Sequence, residues 1–150
     1  MGAILDALTA FFKEENWTVT KVEDKPVLLI NFVGRNGRWT CYASDEEEKH
    51  IFLFYSYAPV KAPEDKRPVL SDFLTRANYG LYIGNFELDF NDGEIRYKTS
   101  IDVENTDLNN ALIKGVVYAN LNIMDRYLPG IMSVIYGGSS PTEAIALVEG

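Results

Sequence analysis

The chain has 150 residues, about the size of one ordinary domain, so a single domain over 1–150 is expected. Hydrophobic residues make up 47% and charged residues 24%, the balance of a folded chain and not a disordered one. A net charge of −8, from 14 Lys and Arg against 22 Asp and Glu, argues against nucleic acid or an anionic membrane as partner. Both need a surface that neutralises phosphate.

The first segment, residues 2–16, places Ile4, Leu5, Leu8, Phe11 and Phe12 at helical spacing. Residues 17–21 then alternate in a β pattern. Further strands are expected over 27–33, 38–44 and 50–57, separated by the turn Gly34-Arg35-Asn36-Gly37 and an acidic loop at 45–49. Strand, turn, strand, loop, strand at such short spacings is an antiparallel meander. Residues 58–67, with Pro59 and Pro63, read as a loop. Pro68 suits the first turn of a helix whose apolar stripe is Val69, Leu70, Phe73, Leu74 and Ala77, with Gly80 as a left-handed stop. A hairpin follows about Asn91-Asp92-Gly93, with Phe86, Leu88, Phe90, Ile95, Tyr97, Ile101 and Val103 inward. Thr106 or Asp107 is the expected cap of a long third helix, interrupted at Pro129-Gly130. Ser140 with Glu143 is a capping box for a short terminal helix. The order predicts an α+β fold: an antiparallel sheet of about five to six strands with helices packed on one face.

No constellation of catalytic residues stands out. His50 is the sole histidine, and no Gly-x-Ser-x-Gly nucleophile context accompanies it, so a surface or strand-edge role is expected. Cys41 is the sole cysteine. It excludes an intramolecular disulfide and a Cys-rich zinc site, and its mid-strand position reads as a small buried hydrophobe. The acidic run Asp45 to Glu48 lacks the ligand alternation and glycine of a calcium loop and reads as a solvated face. No phosphate-loop motif is present, and no cofactor or metal is expected. Without a basic leader or a long apolar span, the expected compartment is the cytoplasm, with no membrane contact.

The late hairpin alternates apolar and charged residues, whereas the early strands are apolar on both sides. Along residues 50–57, Phe52 and Phe54 oppose Ile51, Leu53, Tyr55 and Tyr57; along 27–33, Leu28, Ile30 and Phe32 oppose Val27, Leu29 and Val33. Strands apolar on both faces need cover on both. Either the first helix or the tail after Gly137 closes the second face, or that face serves a partner.

Residues 68–138 carry a family resemblance. The helix PVLSDFLTRAN at 68–78, the hairpin GNFELDFNDGEIRY at 84–97 and the ending YLPGIMSVIYGG at 127–138 with SPTEA at 140–144 resemble the YbjN family, in its cyanobacterial branch. These are bacterial sensory-transduction regulators with a type III secretion chaperone-like fold. The resemblance implies helices on an antiparallel sheet, no catalytic residues to transfer, and relatives that hold a segment of a partner protein, often as homodimers through the second helix and the strand beside it. Glu87 and Asp89 on that strand weigh against the same dimer mode here. The expected function is a non-enzymatic protein-binding module, chaperone-like or regulatory, that contacts a protein or peptide partner through Tyr42, Phe52, Phe54 and Tyr57. The alternative is a small-ligand sensor or enzyme with a pocket between the sheet and the third helix.

Overall fold

The computed structural model describes residues 2–150, the side chain of Glu47 excepted. The elements are α1 (Ala3–Glu14), β1 (Val19–Lys21), β2 (Val27–Val33), β3 (Arg38–Glu46), β4 (Ile51–Tyr57), α2 (Arg67–Tyr79), β5 (Asn85–Leu88), β6 (Ile95–Asp102), α3 (Asn110–Tyr136) and α4 (Pro141–Glu149). The strands form one six-stranded sheet, antiparallel throughout, in the order β1-β2-β3-β4-β6-β5. The α+β expectation holds.

Burial alternates along the strands and selects one face as the core. Leu28, Ile30, Trp39, Cys41, Ala43, Phe52, Phe54, Ile95 and Tyr97 point to it, and the helices meet them with Leu8, Phe12, Leu70, Phe73, Val117, Leu121 and Met124. Helix α3 lies on β4 and β6, α1 on β3 and α3, α2 on β5 and α3, and α4 on α2 and α3. The first helix and the tail after Gly137 therefore thicken the helical layer and do not close the other face.

Two buried polar side chains pin this layer to the sheet. Asn120 of α3 donates its amide to the Phe54 and Tyr97 carbonyls at 2.9 and 3.0 Å, and Thr99 Oγ1 donates to the Val116 carbonyl at 2.9 Å. Asp45, expected in a solvated loop, is instead the buried penultimate residue of β3, only 3% exposed, and its carboxylate accepts the Leu5 N–H of α1 at 3.0 Å. An acceptor at the start of a helix satisfies one of its orphan N–H groups.

Other expectations are corrected locally. Helix α3 starts later than expected, because the Asn109 side chain accepts the Leu112 N–H and takes the capping position. Gly80 has φ −100° and is no left-handed stop; the positive φ falls at Gly84. Strand β5 ends at Leu88, which leaves Phe90 53% exposed and not inward. Helix α3 also continues through Pro129. Proline cannot donate to the carbonyl four residues back, that of Asp125. Asn36 of the β2–β3 turn donates its side-chain amide to that carbonyl at 2.9 Å, while the Asp125 carboxylate accepts the Arg35 and Asn36 N–H groups. The turn thus repairs the helix and is held by it. At Gly130 a Cβ would lie 2.4 Å from Phe73 Cζ and 3.1 Å from Val148 Cγ1, so the missing side chain is what lets α2 and α4 close on α3.

Gly130→Ala is expected to lower stability by about 1–3 kcal/mol in urea denaturation through overpacking against Phe73. Gly115→Ala, where an added Cβ meets nothing within 4 Å, is expected to be neutral or stabilising.

Candidate functional site: the open sheet face

The face away from the helices carries the residues between the buried ones. Cross-strand register sets them in rows. One row runs Asn31, Thr40, Tyr57, Arg96, Glu87; the next Leu29, Tyr42, Tyr55, Lys98, Asn85; then Val27, Ser44, Leu53, Ser100; and last Glu46, Ile51, Asp102. The tyrosines and the aliphatic residues of β2 and β4 in these rows are half-buried by their neighbours alone.

Three tyrosines form its centre. Tyr42 meets Tyr57 edge-on with ring centroids 5.5 Å apart, and Tyr55 lies 6.0 Å from Tyr57. The Arg96 guanidinium sits 4.4 Å above the Tyr55 ring, a cation–π contact, and donates to the Tyr57 hydroxyl at 3.2 Å. Arg96 and Lys98 both donate to the Glu87 carboxylate, at 2.7 and 3.1 Å. Burial pushes the Glu87 carboxyl up, but these two cations more than reverse it and hold it below its ordinary value of 4.5. Burial also raises the Tyr57 hydroxyl, against the opposing pull of Arg96. Arg96 thus ties Tyr55 and Tyr57 together. Beside them Thr40, Tyr42, Tyr57, Ala58, Val60, Lys61 and Glu94 line a shallow depression of about 470 Å³.

Of the four residues expected at the site, Tyr42 and Tyr57 lie on this face. Phe52 and Phe54 do not. Both are 0% exposed and point into the helical layer, because a strand sends residues of opposite parity to opposite faces. Tyr55, Leu29, Leu53 and Arg96 stand beside Tyr42 and Tyr57 on the open face. Tyr55 shares the parity of Tyr57 and was legible as its companion; the Arg96 contact with Tyr55 depends on β4 pairing with β6, which no local pattern announces.

The remaining candidates lie away from this cluster. Burial pushes the Cys41 thiol up to about 12, only partly offset by its hydrogen bonds to Ser56 and Trp39. His50 is exposed at the start of β4, with φ +58°. The outer edge of β5 is closed: the Asn78 side chain of α2 accepts the Phe86 N–H at 2.7 Å and donates to its carbonyl at 3.1 Å, standing where a further strand would pair. Among the described residues no group of three or more His, Cys, Asp or Glu is placed to hold a metal ion, and no helix is long and apolar enough to cross a membrane.

The family profile for YbjN, described as "Putative bacterial sensory transduction regulator", matches residues 5–132. The fold is similar to that of the E. coli protein YbjN, described as "a putative transcription regulator", with TM-score 0.63, 13% identity and 89% of each chain covered. It is also similar to the Yersinia pestis type III secretion chaperone SycH, solved in complex with a stable fragment of YscM2, with TM-score 0.52, 13% identity, and 79% of this chain and 94% of that chain covered. The HopA1–SchA chaperone–effector complex gives TM-score 0.51 and 17% identity over 79% of this chain and 88% of that chain. No curated protein matches the sequence.

Glu87 is expected to titrate below 4.5 in the folded protein, read by NMR. A depressed carboxyl contributes stability that is present above its unfolded value and lost as pH falls through the folded one. The Glu87→Gln variant should therefore be less stable than the parent at pH 7, with the difference shrinking as the pH drops below 4.5. Cys41 is expected to resist thiol alkylation in the native protein and to react at once in denaturant, as a buried protonated thiol must.

Proposed function

The chain belongs to the YbjN family, and from that premise we propose that it is a non-enzymatic protein-binding module, chaperone-like or regulatory, that docks a partner segment on the open face of its sheet. One observation carries this reading: four helices occupy one side of the sheet, and the other side keeps Tyr42, Tyr55, Tyr57, Leu29 and Leu53 without a helix over them. Tyrosine and arginine are the side chains that dominate binding energy at protein interfaces. The chaperone-like neighbours, crystallised with protein partners, support a protein as the occupant. Docking is across the face; strand addition at β5 is obstructed by Asn78.

The alternative, a ligand pocket between sheet and α3, is left the rim of that layer, where Phe32 and Val33 of β2 and Asn122, Asp125 and Arg126 of α3 line an open cavity of about 700 Å³. Phe52, Phe54, Tyr97 and Met124 fill the centre of the layer, and Asn120 directs its amide there to backbone carbonyls and Thr99.

A photo-crosslinking residue in place of Tyr42 or Tyr57 is expected to trap a partner polypeptide, and the same residue at exposed Thr75 on α2 to trap none. Tyr55→Ser should abolish the adduct while the fold persists. Phe54→Ala, by contrast, should cost about 3–5 kcal/mol of stability yet leave the adduct intact wherever the variant is folded. Equal trapping from both sides of the molecule would remove this assignment.

A further inference from the structure

We infer that the cavity at the rim of the helical layer binds a small organic acid: a carboxylate of single charge on an aliphatic body. This goes beyond docking on the open face, because none of the three tyrosines of that cluster lines the cavity. Its volume of about 700 Å³ lies within the range of small-molecule sites. Three segments remote in the chain meet around it: the end of β2 with the β2–β3 turn, the middle of α3 and the end of α4. Asp125 assembles the charged wall. Its two carboxylate oxygens accept the Arg35 and Asn36 N–H groups at 3.0 and 2.8 Å, from 90 and 89 residues away. The backbone of Arg35 is thereby tied to the residue that precedes Arg126, and both guanidiniums line the one cavity.

The charges select the ligand's sign and size. Arg126 is positioned by its Nε, which donates to the Val148 carbonyl at 3.2 Å, and by the Tyr127 ring, whose centroid lies 5.5 Å from the guanidinium. Its terminal nitrogens and the whole Arg35 guanidinium have no hydrogen-bond or ion-pair partner among the described residues. Asp125 is the one carboxylate among the described residues of the lining, and both its oxygens are engaged. The acidic residues of α4 are turned elsewhere: Glu143 accepts the Ser140 N–H, and Glu149 accepts the Tyr127 hydroxyl. Two cations against one anion leave the lining at +1 in a chain of −8. A carboxylate balances that charge and fits the guanidinium fork, whereas a phosphate monoester, at about −2, overshoots it. The other lining groups are apolar: Phe32, Val33, Pro129, Leu147 and Val148. Val33 and Leu147, 68% and 61% exposed, are among the large apolar side chains that the fold leaves mostly in water. An aliphatic body between them would be sheltered with them, a gain that an inorganic anion cannot provide. Because the cavity is open, an eight-carbon acid should bind with a Kd on the order of 1 mM.

The test is an NMR titration of the full chain with octanoate to about 10 mM, read at the Val33 and Leu147 methyl groups and the Arg35 and Arg126 Nε–H signals. Saturable shifts are expected there, with the Tyr42 and Tyr57 ring signals unmoved. Acetate, the headgroup alone, and octylammonium, the same body with the opposite charge, should each bind about tenfold more weakly or worse. Octyl phosphate should bind no more tightly than octanoate. Arg35→Gln, which removes no side-chain hydrogen bond or ion pair of the fold, should weaken octanoate by about fivefold or more, and Arg126→Gln by at least as much. Lys114→Gln, at an exposed cation of α3 outside the cavity, should change nothing. Shifts that spread over the molecule without saturating, binding indifferent to Arg35→Gln, or octylammonium or octyl phosphate bound more tightly than octanoate overturns the inference. Trapping of a partner at Tyr42 and Tyr57 does not involve this cavity, so partner docking and acid binding fail separately.

Discussion

An antiparallel sheet has two faces, and this chain supplies helix for one of them. Helices α1, α2 and α3 converge on the inward residues of β3, β4, β5 and β6, where Cys41, Ala43, Phe52, Phe54 and Tyr97 are wholly excluded from water. Burial of that apolar surface is the main source of stability, at roughly 1.5–3 kcal/mol for each large side chain. The same alternation that sends these residues inward obliges Tyr42, Tyr55, Tyr57, Leu29 and Leu53 to stand on the opposite side. The open face is therefore the necessary complement of the core.

The helical layer is held in register by polar contacts as well as packing. Asn120 and Thr99 fix α3 over β4 and β6, Asp45 fixes the start of α1 over β3, and Asp125 with Asn36 fixes the far part of α3 to the β2–β3 turn. Each ties a side chain of one element to the backbone of another. Together they set how the sheet is presented. Arg96 and Glu87 do the equivalent on the exposed side, where a guanidinium stacked on one tyrosine and bonded to another stiffens the aromatic cluster.

Exposure and aromatic content set the character of the open face. The Cys41 thiol is buried on the other side and kept protonated, and His50 stands apart at the start of β4. The face offers aromatic area and hydroxyls. Such a surface gains by excluding water against a complementary one. Asn78 obstructs the pairing of a further strand at Phe86 of β5.

Local patterns in the amino-acid sequence determined much of this. Helical stripes and strand alternation locate nearly every element, the Ser140–Glu143 box starts α4, and the doubled apolar pattern of 27–33 and 50–57 already shows that two faces needed cover. Those signals are carried by neighbours within a few residues of each other. Which parity faced the helices was decided only in three dimensions: Phe52 and Phe54 went inward, and Tyr42, Tyr55 and Tyr57 outward, because β4 pairs with both β3 and β6 and α3 crosses it from one side. The passage of α3 through Pro129 was equally hidden, since the group that satisfies the freed carbonyl, Asn36, lies 89 residues away from Asp125. Contacts of that range are a property of the assembled sheet and its helices, and no stretch of chain contains them.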